Sequence, residues 1–225
     1  MKRGRTPPAS ERAVRTRDES RKRRIVHPRR GVGRALVVGR RVLLRPPRKG
    51  DEAEFLAVVK ASRALHRPWV HPPHTAAAFR SYLRRAREKT FRPLLLVRRG
   101  DAAILGAFNL SQIFLRNFRS GYLGYWVGAP FASQGYMTEG MELLLRYGFR
   151  TLQLHRVEAN VQPGNVASLS LVRRAGFRKE GFSPRYLKIA GRWRDHERWA
   201  ITVEDFRSTR RKPRTPRRAR AESLE

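Results

Sequence analysis

The sequence predicts one α/β domain built on a mixed sheet and flanked by two disordered basic arms. Three observations carry this. The middle of the 225-residue chain alternates strand-like apolar runs with helix-spaced apolar faces. Its first strands follow one another through short turns before helices intervene, which gives a sheet of mixed direction. Both ends are rich in arginine and proline (Pro7, Pro8, Pro28, Pro213, Pro216) and poor in aromatics, so they bury too little surface to offset their ordering entropy. The expected organisation is an arm over 1–41, a domain over 42–206 and a tail over 207–225.

The elements of the domain follow in order. "RVLLRPP" is a short strand. Asp51 opens a helix with Phe55, Leu56, Val58 and Val59 on one side. "ALHRPWVHPPH" is a proline-rich loop carrying Trp69, and Thr75 caps a second helix that runs through Lys89. "PLLLVRR", "AAILGAFNLSQIF" and "SGYLGYWVGAPF" are strands, with turns at Gly100-Asp101 and around Asn117. In "APFASQGYMTEGMELLLRYGF" a small-residue turn gives way to a helix with Met137, Met141, Leu144 and Leu145 on one face. "RVEANV" is a strand. Asn165 caps a helix ending at Ala175, and Gly176 stops it. "YLKIAGRWRDHERWAI" is a hairpin turning at Gly191.

The formal net charge is +33. Residues 1–41 hold 15 Lys or Arg against 3 acids, and residues 207–225 hold 8 against 2. Such arms most often meet polyanions, nucleic acid above all; a solubility tail is the plain alternative. Arginine makes up 43 of the 51 basic residues, a codon bias that accounts for Arg over Lys but not for the sign. Cysteine is absent, which excludes disulfides, a cysteine nucleophile and thiolate metal sites and fits a reducing compartment. No metal is expected. There is no apolar run of about 18 residues to cross a membrane, and the N-terminus lacks the apolar stretch of a secretory signal. A cytoplasmic protein with no membrane contact is the expectation.

A small-residue turn at a helix start suits an anion, because the first N–H groups of a helix lack intrahelical partners and the N-terminal end carries partial positive charge. An ordinary loop before a capped helix is the plain alternative. The ordered set "SQGYMTEGMELLLRYGF", "RVEANVQPGNVASLSLVRRAGFRKEGF" and "GRWRDH" resembles the GCN5-related N-acetyltransferase (GNAT) superfamily, and within it the RimJ/RimL-type ribosomal-protein N-terminal acetyltransferases. The likeness covers roughly residues 42–206.

The resemblance implies the GNAT fold and acetyl-CoA as donor. The family's turn pattern, Arg/Gln-x-x-Gly-x-Gly/Ala, falls on Ala132 to Met137. Gly135 keeps the central glycine, whereas Ala132 and Met137 depart from the pattern at both ends. Backbone groups of Gln134, Gly135, Tyr136, Met137 and Thr138 are implied to cradle pyrophosphate, with Thr138 serving mainly as a cap. Pantetheine is implied to lie between the strand of Tyr125-Trp126-Val127 and the strand of Val157–Asn160, with the N–H near Val127 polarising the thioester carbonyl. The plain reading of Tyr122, Tyr125 and Trp126 is ordinary strand aromatics, and for Trp126 that reading is favoured. Asn165 is implied to touch pantetheine as well as capping its helix, and Ser168 to hydrogen-bond the departing thiolate. Trp69, in the proline-rich loop, reads equally as an acceptor-site wall or as a core or edge-packing tryptophan, and Tyr125 and Asp195 are placed toward the acceptor.

The base is open. Where some relatives place a carboxylate this chain has Leu187. Glu139 suits the helix dipole, Glu180 suits a turn, and Glu158, Asp195 and His196 remain. Strand alternation lets only one of Asp195 and His196 point inward, and a surface position is the plain reading of His196. An α-amine tolerates a weak base. Its pKa of about 7.7–8 leaves roughly a tenth neutral at pH 7, against about one part in several thousand for a lysine near 10.4. The resemblance implies, and this argument supports, an N-α-acetyltransferase for a ribosomal protein beginning with Ala or Ser, its arms holding ribosomal RNA. Acetylation of a small amine such as a drug or polyamine is a second reading, and the positive surface speaks against a cationic acceptor. A non-catalytic RNA-binding module is a third.

Overall fold

The computed structural model describes residues 35–67 and 69–211. Strands β1 (Val37–Val38), β2 (Val42–Arg45), β3 (Arg92–Arg98), β4 (Ile104–Phe114), β5 (Ser120–Val127), β6 (Arg156–Val161), β7 (Arg178–Ile189) and β8 (Arg192–Thr202) form one sheet in the order β1-β2-β3-β4-β5-β6-β8-β7. Every neighbouring pair is antiparallel except β5–β6. The helices are α1 (Glu52–Ala61), α2 (Arg63–His66), α3 (Ala76–Arg85), α4 (Tyr136–Arg150), α5 (Val166–Arg174) and α6 (Val203–Arg211). This is the mixed α/β sheet that the sequence pattern predicts.

The central strands are apolar along their length because both faces are covered. Leu95 and Val97 of β3 join Phe55 and Val59 of α1 and Phe79 and Tyr82 of α3 in one core. Leu94 and Leu96, on the opposite face, join Met141, Leu144 and Leu145 of α4 and Leu169 and Val172 of α5 in another. Gly140 lets α4 settle against the sheet, since a Cβ there would stand 2.7 Å from Leu96 and Phe108 side-chain atoms.

The structure corrects several boundaries. The domain begins before residue 42: Val37 and Val38 pair with Leu44 and Leu43, and Gly39 N–H donates to Val42 O at 2.8 Å. At the other end α6 runs through Arg211, started by two acids in its first turn. The rest of the arm and tail expectation, 1–34 and 212–225, lies outside the described residues. The helix capped by Thr75 stops at Arg85 rather than Lys89, although Thr75 does accept from Ala78 N–H at 3.2 Å. Glu180 lies inside strand β7 rather than a turn, and its carboxylate pairs with Arg156. Trp126 is an aromatic of β5 buried in the core, meeting Phe55 edge-on at 5.2 Å.

One buried ion pair ties the edge of the sheet to α1. Arg45 donates to both oxygens of Asp51, at 2.7 and 2.8 Å, with the pair almost sealed from solvent, and Arg48 N–H adds a third bond at 2.8 Å. Removing one partner of such a pair strands the other charge. Asp51→Ala is expected to cost about 3–5 kcal/mol of unfolding free energy, measured by urea denaturation. The paired replacement Arg45→Met/Asp51→Leu is expected to recover most of that loss.

Candidate active site

The site starts where the sheet comes apart. β5 and β6 pair in parallel from Ser120↔Arg156 to Tyr122↔Glu158 and no further. Beyond that point Leu123 to Val127 stay on β4, while Ala159 to Val161 stay on β8. A cavity of about 760 Å³ opens along the parting, reached by Val127, Asn160, Asn165, Ser168, Trp69 and His196.

Val127 presents backbone groups to this cavity. Gly128 N–H donates to Leu105 O at 2.8 Å. In an antiparallel pair, bonded and non-bonded residues alternate, so the next residue back, Val127, turns its N–H and C=O away from β4. Its carbonyl accepts from His66 Nε2 at 2.7 Å on that side. The peptide after it is clamped too. Ala129 N–H donates to Ser62 Oγ at 2.8 Å, and Ser62 donates to Val58 O at 2.7 Å. Ser62 and His66 are both buried. A carbonyl only accepts, so Nε2 of His66 carries the proton. Burial lowers the His66 pKa, against the opposing pull of the Val127 carbonyl.

The turn before α4 has the backbone an anion site needs. Gly135 occupies the helix N-cap position with φ +77°, left-handed space where a side chain is strained. No side chain caps the helix, so Thr138 does not perform the capping role expected of it and instead lines the cavity. The first N–H groups after Gly135 thus point out of the helix without intrahelical partners. Gln134 folds its amide onto Pro130 O at 2.8 Å, stiffening the turn rather than reaching outward. Met137 is half-buried against the core, where its size is accommodated.

Arg41, read from sequence as part of the arm, belongs to this turn. Its guanidinium donates to Gln134 O at 3.1 Å and to Glu139 Oε2 at 3.1 Å, and stacks 4.8 Å over the Tyr136 ring. Glu139 Oε1 also accepts the backbone N–H of Arg41 at 2.8 Å. Burial opposes ionisation of Glu139, but the Arg41 and Val42 backbone donors and the Arg41 guanidinium hold its pKa below the usual carboxylate value. Glu139 therefore joins α4 to the β1–β2 turn. Its charge is met by Arg41, which leaves the helix start available to another anion. Sequence spacing carries no signal of this contact, which joins residues 98 apart.

Across the parting, Asn165 Oδ1 accepts Ser168 N–H at 3.1 Å, the cap expected of it. The Ser168 hydroxyl meets the Tyr125 hydroxyl at 2.5 Å, so a β5 side chain and the start of α5 bridge a gap their backbones leave open. Burial pushes the Tyr125 phenol up to about 12, only partly offset by Ser168; Tyr125 keeps its proton. Its hydroxyl faces Ser168 across the parting, and the residue lines the same cavity as Trp69 and His196.

Trp69 forms a wall over the β6–α5 loop: its carbonyl accepts from Gln162 at 3.5 Å, and its ring lies 3.2 Å from where a Cβ on Gly164 would stand. His196 is the inward member of the Asp195–His196 pair, and the surface reading of it is corrected: it is 3 % exposed and lines the cavity. Its Nδ1 donates to Arg194 O at 2.9 Å, so Nε2 is the unprotonated nitrogen of the neutral ring. Burial lowers its pKa, against the Arg194 carbonyl and Asp195. Asp195 is exposed and accepts Arg185 N–H at 2.7 Å. Among the described residues no cluster of three or more His, Asp or Glu is arranged to hold a metal, and no helix is long and apolar enough to cross a membrane.

The model of the acetyltransferase (GNAT) domain family matches residues 41–178, starting at Arg41. The [ribosomal protein uS5]-alanine N-acetyltransferase of Escherichia coli K12 is 40% identical over 106 residues, 47% of this chain and 55% of that protein. The probable N-acetyltransferase YjcK of Bacillus subtilis is 37% identical over 105 residues, 47% of this chain and 58% of that protein. The chain thus spans about half the length of the curated relatives it matches. A solved structure of Mycobacterium smegmatis RimJ in complex with CoA-disulfide superposes with a TM-score of 0.68 at 31% identity, covering 73% of this chain and 83% of that one.

The neutral imidazole is testable directly. Ring resonances of His196 and His66 are expected to titrate below the ordinary histidine value of about 6.5, followed by NMR on ring-labelled protein. Both rings are therefore expected to be uncharged at pH 7.

Proposed function

This chain belongs to the GNAT acetyltransferase family, and we propose that it transfers the acetyl group of acetyl-CoA to the α-amine of a ribosomal protein beginning with Ala or Ser. One observation carries the reading: the β5–β6 parting leaves two strand edges open directly beside the positive-φ turn of α4. An extended chain of amides can pair with such an edge as an added strand, while its phosphates meet the helix start. The donor set fits acetyl-CoA. Gln134 to Thr138 would hold the pyrophosphate with backbone N–H groups, and Asn165 and the edges at Val127 and Asn160 would hold pantetheine.

Acetyl-CoA supplies an activated thioester. Val127 N–H, turned into the cavity, donates to the acyl oxygen as charge develops there. Tyr125 holds a proton at its hydroxyl and shares it with Ser168, which presents a donor to the leaving sulfur. His196 Nε2, neutral at pH 7, takes the proton that the amine releases. Trp69 walls the acceptor end and excludes water. The base needs little strength, since an α-amine is already partly neutral near pH 7. The reaction belongs in the cytoplasm, where new ribosomal termini emerge. The arms outside the described residues would tether the enzyme to ribosomal RNA through phosphate contacts.

The test is turnover of acetyl-CoA on short peptides, read by intact mass, with a panel varying the first residue. Ala and Ser peptides are expected to give the highest kcat/KM. A silent panel alongside rapid acetylation of polyamines or aminoglycosides would replace the reading. Ser168→Ala and Tyr125→Phe are each expected to lower kcat by about tenfold to a hundredfold with little change in the KM for acetyl-CoA. The double variant should lose little more than either alone, because the two hydroxyls act as one unit.

Removal of residues 1–34 and 212–225 is expected to leave peptide turnover intact while ribosome co-sedimentation falls and its salt dependence flattens.

A further inference from the structure

The hairpin of β7 and β8 extends past the rest of the sheet. β6 ends at Val161, opposite Glu197, so residues 192–196 of β8 and their β7 partners project beyond the last β6–β8 rung, at the end where β5 and β6 have parted. The projection begins at a bulge: Ser183 faces His196 and Leu187 faces Arg194, so three residues of β7 stand against one of β8. Arg185, inside the bulge, has φ +49° and is locked by its N–H bond to Asp195. The bulge sets Tyr186 edge-on to His196, with ring centroids 6.1 Å apart. Bulges beside sites re-aim side chains in this way.

The projection is strongly basic. Arg185, Lys188, Arg192 and Arg194 are all exposed, and none forms an ion pair with another described residue. Asp195 is the one acid between residues 183 and 196, and it is engaged by Arg185 N–H. Side chains two apart on a strand share a face. Arg194 and Arg192 therefore continue outward the row that begins with His196 in the cavity wall. At roughly 3.3 Å per residue, they stand about 7 and 13 Å along the strand from His196. An extended peptide leaving His196 by its amine has the same rise, so its third and fifth residues come level with the two arginines.

We propose that this row recognises acidic side chains just behind the acceptor amine: the substrate is an N-terminus carrying Asp or Glu around its third to fifth positions. The inference rests on the reading of the chain as an N-α-acetyltransferase and adds the class of terminus it takes. Opposite charge at the rim draws in the matching peptide and repels a lysine-rich one.

Three peptides sharing the same first two residues, with acids, neutral residues or lysines at the third to fifth positions, test this on the full chain with acetyl-CoA. The acidic peptide is expected to show a KM about tenfold below the neutral one at low salt, a preference that shrinks as NaCl rises. Arg192→Glu/Arg194→Glu is expected to invert the preference toward the lysine peptide. Arg192→Gln/Arg194→Gln, with a smaller change of charge, is expected to abolish it. Unfolding curves of both variants check that the hairpin still folds. Fluorescence anisotropy of the labelled peptides measures binding without turnover. Equal affinity for all three overturns the inference even where acetyl transfer stands, and an acid preference in binding upholds it even where no peptide is turned over. If charge reversal instead weakens binding of a single-stranded RNA oligonucleotide and leaves the peptide preference unmoved, the row serves nucleic acid and the inference falls.

Discussion

The site depends on one interruption of the hydrogen-bond ladder. β5 and β6 pair up to Tyr122↔Glu158 and then separate. Parallel pairing is slightly weaker per residue than antiparallel, and this is the one parallel seam in the sheet. Each strand keeps its outer neighbour, β4 or β8, so the parting opens without unravelling either side. It leaves backbone donors and acceptors facing a cavity. Such groups must be met by water or by a ligand with amides of its own. A cavity bounded by strand edges therefore selects for an extended, peptide-like molecule before any side chain contributes.

Side chains hold the opening at a fixed width. Tyr125 and Ser168 join β5 to α5. Trp69 and Gln162 join the α2–α3 connection to the end of β6. Ser62 and His66, one helical turn apart, fasten residues 127 and 129, with Leu105 taking the N–H of 128 between them. That segment leads directly from the Val127 N–H into the turn at Gly135. The Val127 N–H and the unpartnered N–H groups after Gly135 are thus fixed to one stiff stretch of chain. Geometry fixed in advance is the main contribution a protein makes when its co-substrate carries the reactive bond. Arg41 and Glu139 secure the same turn from its other side.

Local pattern made most of the fold legible. Strand β6 spans the run RVEANV as read, because an alternating run bounded by turns admits no other pairing face. Asn165 and Thr75 cap helices as their chemistry dictates. The features without a local sequence signal all depend on distant partners. β1 is two residues long and exists only because β2 pairs with it. α6 lies in a stretch whose arginines outweigh its one buried aromatic, Phe206. In sequence Arg41 is one more cation of a basic run, and only the fold brings Glu139 and Gln134 around it. The choice between Asp195 and His196 was visible as an alternation, but its sense was not. The sense is set by the bulge at Ser183–Leu187, where Arg185 draws Asp195 outward and leaves His196 facing the cavity.

The molecule keeps two electrostatic regimes apart. Its surface is cationic, at +33 overall, while the groups that would move protons inside are uncharged. Burial lowers His196 and raises Tyr125, each toward its neutral form. The separation has a chemical reason. An imidazolium at the acceptor end would repel the ammonium that has to approach it, and it would have no lone pair to take that ammonium's proton. A tyrosinate beside Ser168 would meet a developing thiolate as a second anion, with no proton to give. Neutral groups avoid both conflicts, and burial supplies them without further partners. The positive charge that the interior excludes can then act only at the rim, on the parts of a substrate that never enter the cavity. On the proposed reading, proton transfer and partner choice draw on different residues, and the bulge in β7 lies between the buried His196 and the exposed Arg192 and Arg194.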